Sequence, residues 1–307
     1  MPLPDAVVAH DLAMRRITAA TLLQARRLWA QLGESVDFDT AWRAIGPRLL
    51  VLLSAAQLAG ARDAIAYTAA VVAELGLPDS TAGAVSAGAF TGAASDGRPL
   101  GSLLYEPVIS AKALIGQGAS VPGALQSGGS YLDRIVTTQV ADAGREAAGA
   151  AITARPEITG YVRMVNAPCC GRCALLAGRF YRWSAGFQRH PGCHCRNIPS
   201  SENVPGDIRT DPKALFDRGR VKGLSQADAQ AIKDGADPGQ VINAHRGMST
   251  TTAGVKVTTE GTTKRGVARA RMGGKQVRLM PSSIYQLAGE DRDLAIKLLR
   301  DNGFLLA

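Results

Sequence analysis

The sequence is poor in aromatic residues, at 5% of 307, and has no cysteine outside one short stretch. Scarce aromatics beside abundant Ala and Gly disfavour a thick β-sandwich and favour helices that approach closely. No segment holds ~18 consecutive apolar residues, so no membrane span is expected. The run Leu49-Leu50-Val51-Leu52-Leu53 is apolar but too short. The opening Met1-Pro2-Leu3-Pro4-Asp5 lacks a basic stretch leading into an apolar one, so no signal peptide is expected. A cytoplasmic place of synthesis follows from these readings, and with it reduced thiols.

Acidic residues are missing from two places. There is no Asp or Glu from Gly160 to Ser201. That removes the nearby carboxylate base that metal-assisted hydrolysis ordinarily uses, and the Glu of a zinc deaminase signature. There is none from Gly261 to Gly289 either, where Lys264, Arg265, Arg269, Arg271, Lys275 and Arg278 stand with Gly266, Gly273 and Gly274. This composition reads as a flexible basic arm over about 250–280. With a net charge of +9 it points to a polyanion partner such as double-stranded DNA. Almost no aromatics are interleaved with the cations, so stacking on single strands is not indicated.

Catalytic signatures are absent as well. There is no Walker A motif and no G-x-S-x-G. His190 and His194 fall among the cysteines, which leaves His10 and His245 as the candidate bases. Ser86, Ser127 and Ser130 lie in Gly-rich stretches, but no spacing ties them to a base. No catalytic residue is assigned.

What is present is a cysteine constellation. All five cysteines lie between Cys169 and Cys195. The pattern is Cys170-x2-Cys173, sixteen residues, then His190-x2-Cys193-x-Cys195. Two thiolates two residues apart can grip one ion from a tight turn, which Gly171-Arg172 suits. Zinc takes four tetrahedral S or N ligands, so a second group one loop away completes a closed, structural site. Cys170, Cys173, His190 and one of Cys193 or Cys195 would supply it, with His194 as a substitute. Cys169 is expected to point away.

The chain is long enough for about two domains at ~100–200 residues each. Trp42, Ile45, Leu49, Leu52 and Ala56 share one helical face behind Asp39 as N-cap, with Pro47 as a kink or boundary. Ile65, Ala69, Val72 and Leu75 predict a further helix, stopped by Gly76 and Pro78. Residues 79–102 read as a loop. Helices resume near Glu106, break at 116–123, and run again from Tyr131 to Ala151. Strand composition appears at 158–165 and 179–183. Beyond Pro199, Asp211-Pro212 and Ser225-x2-Asp228 are helix starts, and Leu294, Leu298 and Leu299 mark a last helix closed by Gly303. The expected fold is mainly α: a helical domain over 1–155, a small α+β zinc-knuckle module over 156–200, and a short-helix region over 201–307 carrying the basic arm.

The knuckle carries a resemblance. Cys170-Gly171-Arg172-Cys173-Ala174-Leu175-Leu176-Ala177-Gly178-Arg179-Phe180-Tyr181, then Gly186-Phe187-Gln188-Arg189-His190-Pro191-Gly192-Cys193-His194-Cys195-Arg196, resembles the MuF-like minor head proteins of tailed bacteriophages, in the version carried by phages of actinobacteria. The likeness covers about 160–199. The segment 235–244 is also similar, and the first 150 residues share only their helical character. The resemblance implies head morphogenesis: a virion protein on the capsid interior, made in the host cytoplasm, partnered by portal and by capsid or scaffold proteins, beside packaged double-stranded DNA. In such phages a protein of this size and place is also labelled a capsid maturation protease, a role needing a nucleophile and base that this chain does not display. A zinc-knuckle nucleic-acid binder is the third reading.

Overall fold

The computed structural model describes residues 4–34, 37–165, 167–186, 193, 195–201 and 211–305. The described residues are mainly helical, with eleven α-helices and eight short strands. The chain divides into two compact units, Met1–Met164 with Arg179–Arg209, and Val165–Gly178 with Thr210–Ala307. This differs from the division expected at 155 and 200. Of the expected knuckle module, the strands at Gly160–Met164, Phe180–Arg182 and Arg196–Ser200 belong to the first unit, and Cys169–Cys170 with the Cys170–Cys173 turn to the second.

The first unit is built on four helices: α1 (Asp5–Ala30), α2 (Phe38–Glu74), α3 (Leu100–Gly116) and α4 (Val121–Thr153). Residues 42–74 lie in one helix, not two, and Leu75 is its C-cap. Pro47 sits inside α2 without ending it, and the N-cap is Asp37, whose carboxylate accepts from the Asp39 N–H. Proline removes one backbone bond, but Ile45, Leu49 and Leu53 on the buried face hold the helix on either side of it. By length and composition α2 could cross a bilayer, a test that the core helix of a water-soluble bundle also passes. The common core includes Met14, Trp29, Leu49, Leu53, Leu104, Leu132 and Val136.

Small residues set the helix spacing, as the Ala and Gly content suggests. A Cβ on Gly144 would meet Met14 Cε at 2.9 Å and the Gly60 carbonyl at 3.5 Å. The 79–102 connection is pinned by glutamines buried in the bundle. Gln57 donates to Ala93 O and accepts from Gly92 N, each at 2.9 Å, and Gln139 accepts from Ser95 N at 2.9 Å. An antiparallel sheet completes the unit, in the order β3 (Phe180–Arg182), β1 (Gly160–Met164), β4 (Arg196–Ser200). Every residue of β1 and β4 is buried. Val162, Met164 and Ile198 pack with Val7, Tyr67 and Val71, and the Tyr67 hydroxyl donates to Asn197 O at 2.9 Å.

The second unit opens with β2 (Cys169–Cys170), which pairs in parallel with β5 (Val221–Lys222). Short helices follow: α5 (Gly171–Leu175), α6 (Pro212–Asp217), α7 (Gln226–Lys233) and α8 (Pro238–Ala244). Gly171 allows α5 to lie against α8, since a Cβ there would stand 2.5 Å from Ile242 Cδ1. Where the sequence suggests a flexible basic arm, the chain instead forms β6 (Met248–Thr250), β7 (Lys256–Thr258) and β8 (Arg278–Leu279), an antiparallel sheet in that order, with α9 (Val267–Arg271) between the last two. Arg278, counted among the arm's cations, is buried; it bonds Gln240 Oε1 at 3.1 Å and lies over the Phe304 ring. Burial lowers its pKa to about 10. The unit closes with α10 (Pro281–Ala288) and α11 (Arg292–Asp301), which bury Ile284 and Leu299 with Val241, Met280 and Phe304.

Candidate metal centre

Three of the expected ligands come together. Cys173, Cys193 and Cys195 are buried, and their Sγ atoms all lie within 4.8 Å of one another. Tetrahedral zinc with Zn–S of ~2.3 Å needs sulphurs about 3.8 Å apart, so the three lie close enough to bind one metal ion. Sulphur-only donors suit a soft or borderline ion.

Local structure explains the positions. Cys170 is the N-cap of α5, in extended conformation, and its Sγ accepts from the Cys173 N–H at 3.4 Å. That places Cys173 on the first turn of the helix. Cys170 itself is not in the group of three. Cys193 and Cys195 immediately precede β4, whose register on β1 sets Arg163 opposite Asn197 and Met164 opposite Arg196. Cys169 is in β2, paired with Val221. His190 and His194 lie outside the described residues.

The sequence reading missed a set of buried arginines around Cys193 and Cys195. Arg163, in the middle of β1, puts Nη2 at 3.2 Å from Cys195 Sγ and 4.0 Å from Cys193 Sγ. Arg145, from α4, donates from Nη1 to the Cys193 carbonyl at 2.5 Å and pairs with Asp142. Arg196, next to Cys195, lies 3.7 Å from the buried Asp11. The one available signal was a charged residue inside the strand-like run Gly160-Tyr161-Val162-Arg163-Met164, where a solvated Arg would be out of pattern. Through Arg145, Asp142 comes near the cysteines despite the acid-free stretch in sequence. Its carboxylate is already engaged, by Arg145 and by the Ser95 hydroxyl at 2.7 Å.

The candidate bases stand in other settings. His10 is buried in the helical bundle, stacked on Tyr67, with Nδ1 2.5 Å from Asp63. Burial pushes its pKa below the ordinary histidine value, although the Asp63 hydrogen bond pulls the other way. His245 Nε2 lies 2.9 Å from Asp228 Oδ2, the same oxygen that accepts from the Ser225 hydroxyl at 2.6 Å. Serine and histidine therefore share one carboxylate, and the serine proton is directed at the acid. A nucleophile–base relay needs the serine on the histidine. Among the described residues the hydrogen-bond partners of His10 and His245 are these aspartates.

No family model, no curated protein and no solved structure matches this chain.

Proposed function

We propose that this chain is a minor head protein of a tailed bacteriophage, MuF-like, bound to the portal on the capsid interior and stabilised by a structural zinc ion. The observation that carries the reading is the buried group of Cys173, Cys193 and Cys195, which lies in the stretch of sequence that resembles that family. The fourth ligand comes from Cys170, His190 or His194. A structural zinc contributes folding energy directly. Its partners are the portal and the capsid or scaffold proteins. Lys264, Arg265, Arg271 and Lys275 are exposed cations in the second unit and suit contact with packaged duplex phosphates.

The test is mass spectrometry of purified mature particles of the source phage, quantifying this chain against the coat protein. A few full-length copies per particle are expected. Absence from mature particles, together with a trimmed coat or a vanished scaffold, would sink the minor-head reading in favour of the capsid maturation protease. Absence without trimming, joined to salt-dependent duplex binding by the purified chain, would favour the zinc-knuckle nucleic-acid binder.

A further inference from the structure

We infer that Arg163 belongs to the metal centre as a counter-charge, a positioning residue that donates to the ligand sulphurs and offsets the negative charge of the loaded site. This rests on the metal reading above. A ligating thiol is deprotonated outright. Three thiolates around one divalent ion carry one net negative charge before any fourth ligand is counted. All three cysteines are buried, and a buried net charge is costly unless an opposite charge and hydrogen bonds meet it.

The three buried arginines divide the work. Arg145 is paired with Asp142 and bonds the Cys193 carbonyl, so it fixes backbone. Arg196 lies near a carboxylate, at 3.7 Å from Asp11. Arg163 faces sulphur, with Nη2 reaching both Cys195 and Cys193. The guanidinium is held there by a strand that is buried at every position and paired on both edges. Its placement is therefore set by the sheet and not by a flexible loop. Partners of this kind orient metal ligands and tune the ion. An N–H donor to a thiolate withdraws electron density from the sulphur. Its loss should be visible in any transition that moves charge from sulphur to metal.

The experiment uses the purified full chain, with bound zinc quantified by mass spectrometry and affinity measured by competition with a chromophoric chelator. Cobalt replaces zinc for the sulphur-to-metal charge-transfer spectrum. If the wild-type chain, reconstituted with zinc, fails to hold about one ion, the metal reading itself falls and Arg163 falls with it. Given a loaded wild type, Arg163→Met is expected to bind zinc about 10–100-fold more weakly, with the band displaced. Arg163→Lys, which keeps the charge, should bind within a few-fold of wild type with the band displaced. Arg145→Lys, which touches the carbonyl and not the sulphur, should leave the band in place. A folded Arg163→Met with wild-type affinity and an unmoved band overturns the inference. Should Arg163→Met not fold, Arg163→Lys decides. Metal retained with a displaced band supports the role, and an unmoved band or lost metal refutes it.

Discussion

The helices of the first unit run for 26, 37, 17 and 33 residues, whereas α6, α7, α8 and α11 of the second run for 6, 8, 7 and 10. Side-chain caps occur in both regions and are missing in both: Asp37 and Ser120 cap α2 and α4 in the first unit, while α9 and α10 in the second have none. α1 and α3 begin at Pro4 and Pro99 with no side-chain cap. α6, α7, α8 and α11 each begin with an Asp or Ser side chain accepting a backbone N–H: Asp211, Ser225, Asp237 and Asp291. Nucleating a helix is unfavourable, and a segment of two turns has few bonds to repay it. A cap therefore matters more to a short helix than to a long one. The long helices take their stability from packing, and there the decisive residues are the small ones that let the backbones approach.

The largest effect is expected where that approach is closest. A Cβ on Gly128 in α4 would stand 2.6 Å from the Trp29 ring and 2.9 Å from the Pro107 carbonyl. The indole cannot step aside freely, because its Nε1 donates to Leu125 O at 3.0 Å. Overpacking costs ~1–3 kcal/mol, and the helix propensity of Ala returns about 1. Gly128→Ala is expected to destabilise the first unit by a net amount of up to ~2 kcal/mol. Chemical denaturation followed at Trp29 measures it. An unchanged midpoint would show that packing at this crossing is looser than the geometry indicates.

The same contrast governs what could be read from the sequence. Caps are local chemistry, so Asp211, Ser225 and the terminal Gly303 were legible, and the helices stand where those residues put them. The long helices were legible as apolar faces but not as whole elements. Pro47 argued for a break that tertiary packing overrides, and Asp39 looked like the cap that Asp37 supplies. β4 was missed because Arg196-Asn197-Ile198-Pro199-Ser200 is polar and contains proline, while its burial depends on β1 beside it. Arg278 and Arg163 show the limit most clearly. A charge is visible in a sequence, but whether it faces water, Gln240 or a sulphur is decided by distant residues. The cysteine spacing suggested a site, and Cys173, Cys193 and Cys195 do converge; the arginines around the latter two carried no such spacing.

A middle-sized effect tests the caps directly. Asp237 Oδ1 accepts from the Gln240 N–H at 2.8 Å at the start of α8, whose Val241 is fully buried. Asp237→Ala is expected to cost ~1 kcal/mol, spread over all of α8 as reduced amide hydrogen-exchange protection. Asp37→Ala removes the equivalent bond from the much longer α2, and there the loss should stay within the first turn as fraying. Equal loss of protection along both helices would break the proposed difference between the two regions.

The smallest effect is of opposite sign and comes from the helix that carries Gly128. Gly149 is also inside α4, but nothing lies within 4 Å of a Cβ built on it. Without a clash only the backbone term remains. Glycine loses more conformational freedom on folding than alanine does, so Gly149→Ala should stabilise the first unit by ~0.5–1 kcal/mol. Two glycine-to-alanine changes in one helix then move stability in opposite directions. The difference between them isolates close helix approach from helix propensity, because the chemical substitution is the same. If Gly149→Ala destabilises by as much as Gly128→Ala, the cost at Gly128 cannot be assigned to Trp29 and Pro107. The small-residue account of the long-helix bundle would then have to give way to one in which these glycines are needed for the backbone itself.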